Sequence, residues 1–340
     1  MILAIETSCD DTSVAVLDGS GAVRALLSAN QDDSHRPFGG VVPEVASRQH
    51  TETLLPLVER TLAQAQVSWA EIKGIAVTSR PGLIGSLLVG VVTAKTLSLV
   101  RGIPFIAVNH IEGHLLAALL RDSTYAPPVG FVFPFVGLAV SGGHTHLYLC
   151  EAPTKYRLLG ATVDDAAGEA FDKFAKMMGL GFPGGIAVDQ MSVGGDPKAF
   201  KFPRAVREGI NFSFSGLKTA ALRQLESMSA AEREDSKQDL CASYQEAIVD
   251  VLLEKLATAA ASNGIKNWTI TGGVSANSRL RARAVELARA RGAVLALPPL
   301  RYCTDNAAMI GLAGMYRLNA GEQSPQDLSP SAGSLPGDWL

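Results

Sequence analysis

The sequence is short of cysteine, of net charge and of long uninterrupted apolar runs, and each shortage removes a class of protein. Four cysteines in 340 residues, Cys9, Cys150, Cys241 and Cys303, stand far apart with no Cys-x-x-Cys pair. That leaves neither a disulfide framework nor a zinc ribbon and fits a reducing compartment. A formal net charge of −3 gives no global attraction to nucleic acid or to anionic membranes, so any nucleic-acid contact must come from a local basic patch. The most apolar run, GLIGSLLVGVVTAKTLSLV, carries Lys95 and several Ser, Thr and Gly. It falls short of the roughly 20 apolar residues a spanning helix needs and is expected to be a buried core helix. The start, MILAIETSCDD, turns acidic too early for a signal peptide. The expectation is a soluble, cytoplasmic protein with no membrane partner.

What is present is a well-buried globular chain, 47% hydrophobic and 19% charged. Its length suggests roughly two domains of about 150 residues each. Strands are expected at 2–6, 13–18 and 23–29, then a helix near 43–65 with Pro43 at an early position. Strand 74–79, helix 84–100, strand 104–109 and helix 110–121 follow. After a Pro- and Gly-rich break at 121–134 the same grammar restarts. Strands 135–140, 145–150 and 156–162 lead to helix 164–178, loops over 179–197 and helices 216–227 and 236–262. Strand 268–271, helix 276–291, strand 293–297 and helix 304–319 close the pattern. Hairpins feeding parallel strands imply mixed sheets with helices on both faces, an α/β fold duplicated within one chain. The expected division is an N-terminal lobe over 1–130 rejoined by the helix at 304–320, a second lobe with helical insertions over 131–303, and a loosely ordered tail over 321–340. A ligand is expected in a cleft between the lobes.

Three turns fall at strand ends. IETSCDDTS links the first two strands with small hydroxyls and two carboxylates, Asp10 and Asp11. AVSGGHTH links the equivalent strands of the second half, where Ser141, Gly142 and Gly143 can turn backbone N–H groups toward a phosphate. TITGGVSANSRL runs from strand to helix, and its glycines let a flat ring lie close to a helix N-terminus. One Ser-Gly-Gly turn is most often just a turn, but three at matching positions of duplicated units carry more weight. The set resembles the two phosphate elements and the adenosine element of the actin/Hsp70/sugar-kinase superfamily, which implies an adenine nucleotide.

NHIEGH places His110 and His114 four residues apart, on one face of a helix with Cβ atoms about 5–6 Å from each other. They are suited to share a metal. In H-E-x-x-H proteases the glutamate follows the first histidine and acts as general base. Here Glu112 lies about 200° around the helix from His110, which weakens a protease reading. Asp305, expected in the first turn of the last helix, offers a third ligand favoured there by the macrodipole. Two His and one carboxylate with open positions suit Fe(II) or a catalytic zinc. Cys303 is a rival ligand, though a small buried thiol is the simpler account.

Ten motifs in order, ETSCDDT, GGVVPEVASRQH, RPGLIGSLLVG, NHIEGH, VSGGHTHL, DDAAGEAFDK, FPGG, FSFSGLKT, TGGVSAN and CTDNAAMI, make the chain resemble the TsaD family over residues 1 to 320. These are bacterial tRNA threonylcarbamoyladenosine transferases, once called glycoproteases for the paired histidines. The resemblance implies transfer of L-threonylcarbamoyl from threonylcarbamoyl-adenylate to the exocyclic amine of adenosine 37 in tRNAs reading codons that begin with A, with release of AMP. It implies that His110, His114 and Asp305 hold one divalent metal per subunit, iron(II) by preference or zinc. It also implies that Ala139, Val140, Ser141, Gly142, Gly143, Asp172, Gly185, Asp189 and Asn277 bind the acyl-adenylate. Asp10 is the candidate acid–base or metal-orienting residue. Implied partners are the tRNA, a smaller paralogue, TsaB, forming a heterodimer, and the ATPase TsaE.

For tRNA, SRLRARAVELARARG offers Arg279, Arg281, Arg283, Arg289 and Arg291, and KAFKFPRAVR offers Lys198, Lys201, Arg204 and Arg207. Charge runs are usually solvated faces, and salt dependence separates the two. The rival readings are a small-molecule kinase or a nucleotide-dependent scaffold of the same superfamily, and, behind these, a metalloprotease.

Overall fold

The computed structural model describes residues 1–38, 40–204 and 209–333. The chain divides into two compact units, one of Met1–Pro127 and Ala152–Lys155 with the chain from Pro298 on, the other of Pro128–Glu151 and Tyr156–Leu297.

The first unit is built on five strands, β1 (Ile2–Glu6), β2 (Thr12–Leu17), β3 (Val23–Ala29), β4 (Gly74–Arg80) and β5 (Phe105–Asn109), in the order β3-β2-β1-β4-β5. β1 runs antiparallel to β2 and parallel to β4, and β5 adds parallel to β4. Four helices, α1 (Asp32–His35), α2 (Pro43–Ala65), α3 (Ile84–Arg101) and α4 (His110–Leu116), are joined by the last helix of the chain, α11 (Ala307–Asn319). Leu3, Ile5, Val14, Val16, Ile75 and Val77 pack with α2 residues Leu54, Leu57 and Val58. Alternate positions of the sheet face α11, and these are small where the helix comes closest. A Cβ at Gly314 would lie 2.4 Å from Ala76, so only glycine permits this approach, and one at Gly311 would lie 2.3 Å from the tip of Leu17, which would have to move.

Two expectations change here. α3 buries Ser86, Leu87, Gly90, Val91, Ala94 and Ser98, but Leu88, Val92 and Leu99 on its other side are 44%, 53% and 74% exposed. It is therefore half core helix and half open apolar face. By length and composition alone it would suit a membrane span, yet it packs on β4 and α2. The tail, expected to be loose from 321, is tied down as far as it is described. Ser324 N donates to Phe105 O, Ala107 N donates to Ser324 Oγ, Lys95 Nζ donates to Leu328 O at 2.7 Å, and Ser331 N donates to Ser79 O. Backbone hydrogen bonds and the packing of Leu328 on the core hold a segment whose Pro/Ser/Gly composition forms no helix or strand of its own. Residues 334–340 of that expectation lie outside the described residues.

The second unit repeats the plan. β6 (Phe135–Val140), β7 (Thr145–Ala152), β8 (Lys155–Ala161), β9 (Asn267–Thr271) and β10 (Val294–Ala296) take the order β10-β9-β6-β7-β8, the same arrangement read from the other edge. β6 pairs antiparallel with β7 and parallel with β9. The expected duplicated α/β fold, two mixed sheets of one topology, is present. The helices are α5 (Ala167–Met177), α6 (Gly184–Met191), α7 (Ser215–Glu226), α8 (Ala230–Asp235), α9 (Lys237–Ser262) and α10 (Ser278–Arg291). The core centres on Tyr244 of α9, whose ring stacks on Phe174 of α5 with centroids 3.9 Å apart. α6 occupies part of a stretch expected to be loop. α5 starts at Ala167 rather than 164, because Asp164 instead accepts hydrogen bonds from Ser213 Oγ, Phe214 N and Ser215 Oγ and ties the DDAAGEAFDK and FSFSGLKT motifs together.

Candidate functional site

In the first unit, β5 ends at Asn109, whose side chain accepts from Ile111 N and caps α4. The cap starts the helix at His110, so His110 and His114 share a face, with ring centroids 4.6 Å apart and nearly perpendicular planes. Their Nε2 atoms lie 3.3 and 3.2 Å from Asp305 Oδ1. The three ligand atoms are all within 4.8 Å of one another. Asp305 is not in a helical turn as expected. α11 starts at Ala307 behind the N-cap Asn306, and Asp305 precedes the cap on the segment after a short 3-10 turn, Leu300–Tyr302. Asp122 anchors that turn by accepting from Arg301 Nη2 at 2.6 Å and from the Tyr302 hydroxyl. Cys303 is buried and donates to Pro298 O rather than joining the group.

Glu6, the last residue of β1, was not singled out by sequence reasoning. Its carboxylate is fully buried, and Oε2 lies 3.0 Å from His110 Nδ1 while accepting from Thr78 Oγ1 at 2.5 Å. Oε1 accepts from Ser8 N. A carboxylate ending an apolar strand was the available signal. Burial works against a charge on His110, yet the carboxylates of Asp305 and Glu6 hold its pKa well above the ordinary value. Burial likewise opposes ionising Asp305, but His110 and His114 keep it well below the usual carboxylate range. The donor set fits a divalent metal: two imidazole nitrogens and a carboxylate oxygen converge, and a second carboxylate holds the far nitrogen of His110 as metal-ligating histidines require. His114 Nδ1 is buried with no hydrogen-bond partner among the described residues.

Glu112 is turned away from this group. Its Oε2 accepts from Arg317 Nε of α11 at 2.9 Å, and both side chains are buried. A glutamate fixed to Arg317 is no general base for a metal-bound water, so the protease reading fails on geometry.

Asp10 lies half-buried in the loop between β1 and β2, beside Asp11. Burial, then the charges of Asp10, Asp305, Asp32 and Glu6, push Asp11 up to about 7. His50 of α2 supports the loop, with Nε2 2.9 Å from Cys9 O and Nδ1 2.7 Å from Thr12 Oγ1.

The second unit gathers the other expected residues at the carboxyl ends of β6 and β9. Ala139 and Val140 are ladder residues, paired with His146 and Thr145 on β7, and Ala139 also with Thr271 on β9. Ser141, Gly142 and Gly143 form the turn, closed by Ser141 N donating to His144 O, with open space where Cβ atoms on both glycines would lie. Gly272 at the end of β9 has φ +89°, and a Cβ there would lie 2.4 Å from Val140 O. That contact brings the two glycine turns together. Asp172 Oδ1 accepts from Gly184 N at 2.8 Å, the backbone of Gly185 hydrogen-bonds the same carboxylate, and burial raises its pKa. Asp189 accepts from Ser278 N and Ser278 Oγ, and Asn277 caps α10 by accepting from Leu280 N.

Four arginines of the two basic stretches are committed internally. Arg279 Nε donates to Glu246 at 2.6 Å, Arg283 pairs with Glu246 and Asp250, Arg204 with Asp250, and Arg281 donates to Ser275 O. Lys198, Lys201, Arg289 and Arg291 are exposed, and Arg207 lies outside the described residues.

Residues 22–312 match the profile of the TsaD family, described as tRNA N6-adenosine threonylcarbamoyltransferase. A protein of that name from Bdellovibrio bacteriovorus is 56% identical over 340 residues, 99% of each chain. Another from Geotalea uraniireducens is 49% identical over 94% of this chain and 92% of its own. Among solved structures, HypF of T. kodakarensis matches 94% of this chain and 48% of its own with TM-score 0.63 at 12% identity. Component A of the Acidaminococcus fermentans (R)-2-hydroxyglutaryl-CoA dehydratase matches 94% and 98% with TM-score 0.53 at 15% identity. These two share the fold and nothing further. With a matching profile over most of its length and relatives near half identity or above end to end, this chain belongs to the TsaD family of tRNA-modifying transferases.

Proposed function

We propose that this chain transfers the L-threonylcarbamoyl group from threonylcarbamoyl-adenylate to the exocyclic amine of adenosine 37 in tRNAs reading codons that begin with A. The observation that carries the reading is the 56% identity over 99% of both chains with a relative named for that modification. The His110–His114–Asp305 group supplies a chemistry for it.

An adenine amine is a weak nucleophile because its lone pair is delocalised into the ring. The donor must therefore be an activated acyl group with a good leaving group, and a mixed anhydride with AMP is one. In the step, the amine nitrogen bonds to the carbamoyl carbon, the bond from that carbon to the phosphate oxygen breaks, and the amine gives up a proton. AMP leaves. The N–H groups of Gly142 and Gly143 are the donors for phosphate and carbonyl oxygens, while the Ser141 N–H closes the turn onto His144 O. The remaining acceptor capacity of the Asp172 carboxylate and the second amide N–H of Asn277 suit ribose hydroxyls or an adenine edge. Asp189 sets the start of α10 through Ser278, and Gly185 leaves room beside Asp172. A divalent metal, iron(II) by preference or zinc, held by His110, His114 and Asp305 would supply Lewis-acid polarisation. Asp10 is assigned the acid–base role, with Asp11 beside it as the control position.

A partner surface is part of the reading. The open apolar side of α3, with Leu88, Val92 and Leu99, suits the smaller paralogue TsaB as a heterodimer, with the ATPase TsaE acting on that complex. The compartment is the cytoplasm, where four cysteines that form no disulfide stay reduced.

The test combines the protein, its partners, threonylcarbamoyl-adenylate and an unmodified tRNA transcript, and reads the digested nucleosides by mass spectrometry. Wild type forming threonylcarbamoyladenosine while a His110→Ala/His114→Ala variant does not supports both transferase and metal pair. Product from both variants keeps the transferase and removes the metal from the reading. No product from wild type with metal and partners verified overturns it.

A further inference from the structure

Asn277 caps α10 and Asp189 lies in α6, and a chain of hydrogen bonds joins them through the interior. Asn277 Oδ1 accepts from Leu280 N at 2.9 Å. Its Nδ2 donates to Gln245 Oε1 at 2.6 Å. Gln245 Nε2 donates to Ser192 Oγ at 2.9 Å, and Ser192 Oγ donates to Asp189 O at 2.8 Å. Gln245 belongs to α9, the helix that forms the core of this unit, and is 3% exposed.

The direction of this chain is fixed at its start. A backbone N–H only donates, so the atom of Asn277 facing Leu280 must be its oxygen, and the atom facing Gln245 must be its amide nitrogen. Gln245 then has to present its oxygen to Asn277 and its nitrogen to Ser192. The serine, having accepted, sends its own hydrogen to the Asp189 carbonyl. Every bond runs the same way, the arrangement in which neighbouring hydrogen bonds polarise and strengthen one another.

We infer that Gln245 is a positioning residue for the acyl-adenylate. It fixes the amide plane of Asn277 so that the remaining Nδ2–H, a donor, is what that side chain offers the nucleotide. Through Ser192 it also sets the turn of α6 that carries Asp189. The inference rests on the transferase reading above and names a residue that touches no reacting atom. Without Gln245, Asn277 keeps its cap to Leu280, so the helix start survives, but its amide plane loses the contact that holds it. Nucleotide affinity is then lost without loss of the chemical step.

The experiment measures AMP binding by calorimetry and the KM for threonylcarbamoyl-adenylate and kcat in the assembled complex, for wild type, Gln245→Leu, Asn277→Ser and the double variant. Ser at 277 keeps a capping oxygen and removes the amide. Gln245→Leu is expected to raise the Kd for AMP and the KM about tenfold, a loss of about 1.4 kcal/mol, with kcat within about twofold. Its effect should shrink in the Asn277→Ser background to the smaller share carried through Ser192, because both changes remove the Gln245–Asn277 interaction. Should Gln245→Leu fail to fold by circular dichroism, Ser192→Ala takes its place with a smaller shift of the same kind, and Ser192→Thr, which keeps the hydroxyl, restores wild-type binding. An unchanged Kd, a fall confined to kcat, or full additivity with Asn277→Ser overturns the inference while the transferase reading stands. Wild-type protein that binds neither AMP nor the adenylate overturns both.

Discussion

Replacing Glu6 by Gln tests the support of the proposed metal site without touching any of its three proposed ligands. Three donors converge on the Glu6 carboxylate: Ser8 N on Oε1, and Thr78 Oγ1 and His110 Nδ1 on Oε2. A glutamine has one carbonyl oxygen, so it cannot accept from both sides. With the oxygen toward His110, its NH2 group faces the Ser8 N–H and leaves that buried donor unsatisfied, a cost of about 1–3 kcal/mol. With the oxygen toward Ser8, the NH2 faces His110 Nδ1, which must then accept. The proton moves to Nε2, and that nitrogen is no longer free to ligate. Either orientation weakens the centre, and loss of such an outer partner costs about 10–100-fold in metal affinity, or roughly 1.4–2.7 kcal/mol. The assay is competition for Zn²⁺ or Co²⁺ against a chromophoric chelator, with the Tm of the metal-free protein read in parallel. A metal Kd within about twofold of wild type, with no change in Tm, would refute the argument that Glu6 orients His110.

The remaining predictions concern stability and the turns. Glu112→Ala removes the buried partner of Arg317, which is 2% exposed and keeps its pairing with Glu322, and should destabilise the protein by about 3–5 kcal/mol by chemical denaturation, while product formed per folded molecule stays near wild type. An enzyme inactivated at unchanged stability would revive a catalytic Glu112. Burial opposes ionising Asp122, but hydrogen bonds from Tyr302, Arg301 and Thr124 hold its pKa well below the ordinary value. Its charge therefore stabilises the fold above the ordinary carboxylate range, and that contribution is lost as pH falls through the lowered folded-state pKa. Calorimetry should show a gap in Tm between wild type and Asp122→Asn that is full at pH 7 and narrows below about pH 4. A gap independent of pH would show that the charge is not what matters. Gly272→Ala forces a Cβ to 2.4 Å from Val140 O at a φ of +89° and should lower stability by at least ~1 kcal/mol and weaken AMP binding together. Wild-type binding and melting would mean that the two turns are not held by this contact.

Much of the site was legible because it is local. A four-residue spacing puts His110 and His114 on one helix face whatever surrounds them, and the same helical arithmetic turned Glu112 away before its partner was known. The strands were legible because buried parallel strands read as short apolar runs between turn residues, and the glycine turns because few other residues suit them. Where composition alone was used, it misled. The tail lacks helix- and strand-forming residues, so its hold on β5 and α3 through Ser324, Leu328 and Ser331 could not be read from it. α6 was read as loop because it is short and begins with two glycines, and packing on α5 and α9 makes it a helix.

The sequence by itself determined the duplicated succession of strands and helices, the histidine pair, the glycine turns and the family, since each depends on residue types at fixed short separations. Only the tertiary structure decided which distant groups complete them. Glu6 meets His110 across a sequence separation of 104 residues, Glu112 meets Arg317 across 205, and Gln245 meets Asn277 across 32. It also decided that three of the seven arginines offered for tRNA, Arg204, Arg279 and Arg283, are paired with Glu246 and Asp250 on α9. A charged or amide side chain accepts partners from any element that folding brings within about 3 Å, and no spacing along the chain encodes which one that is.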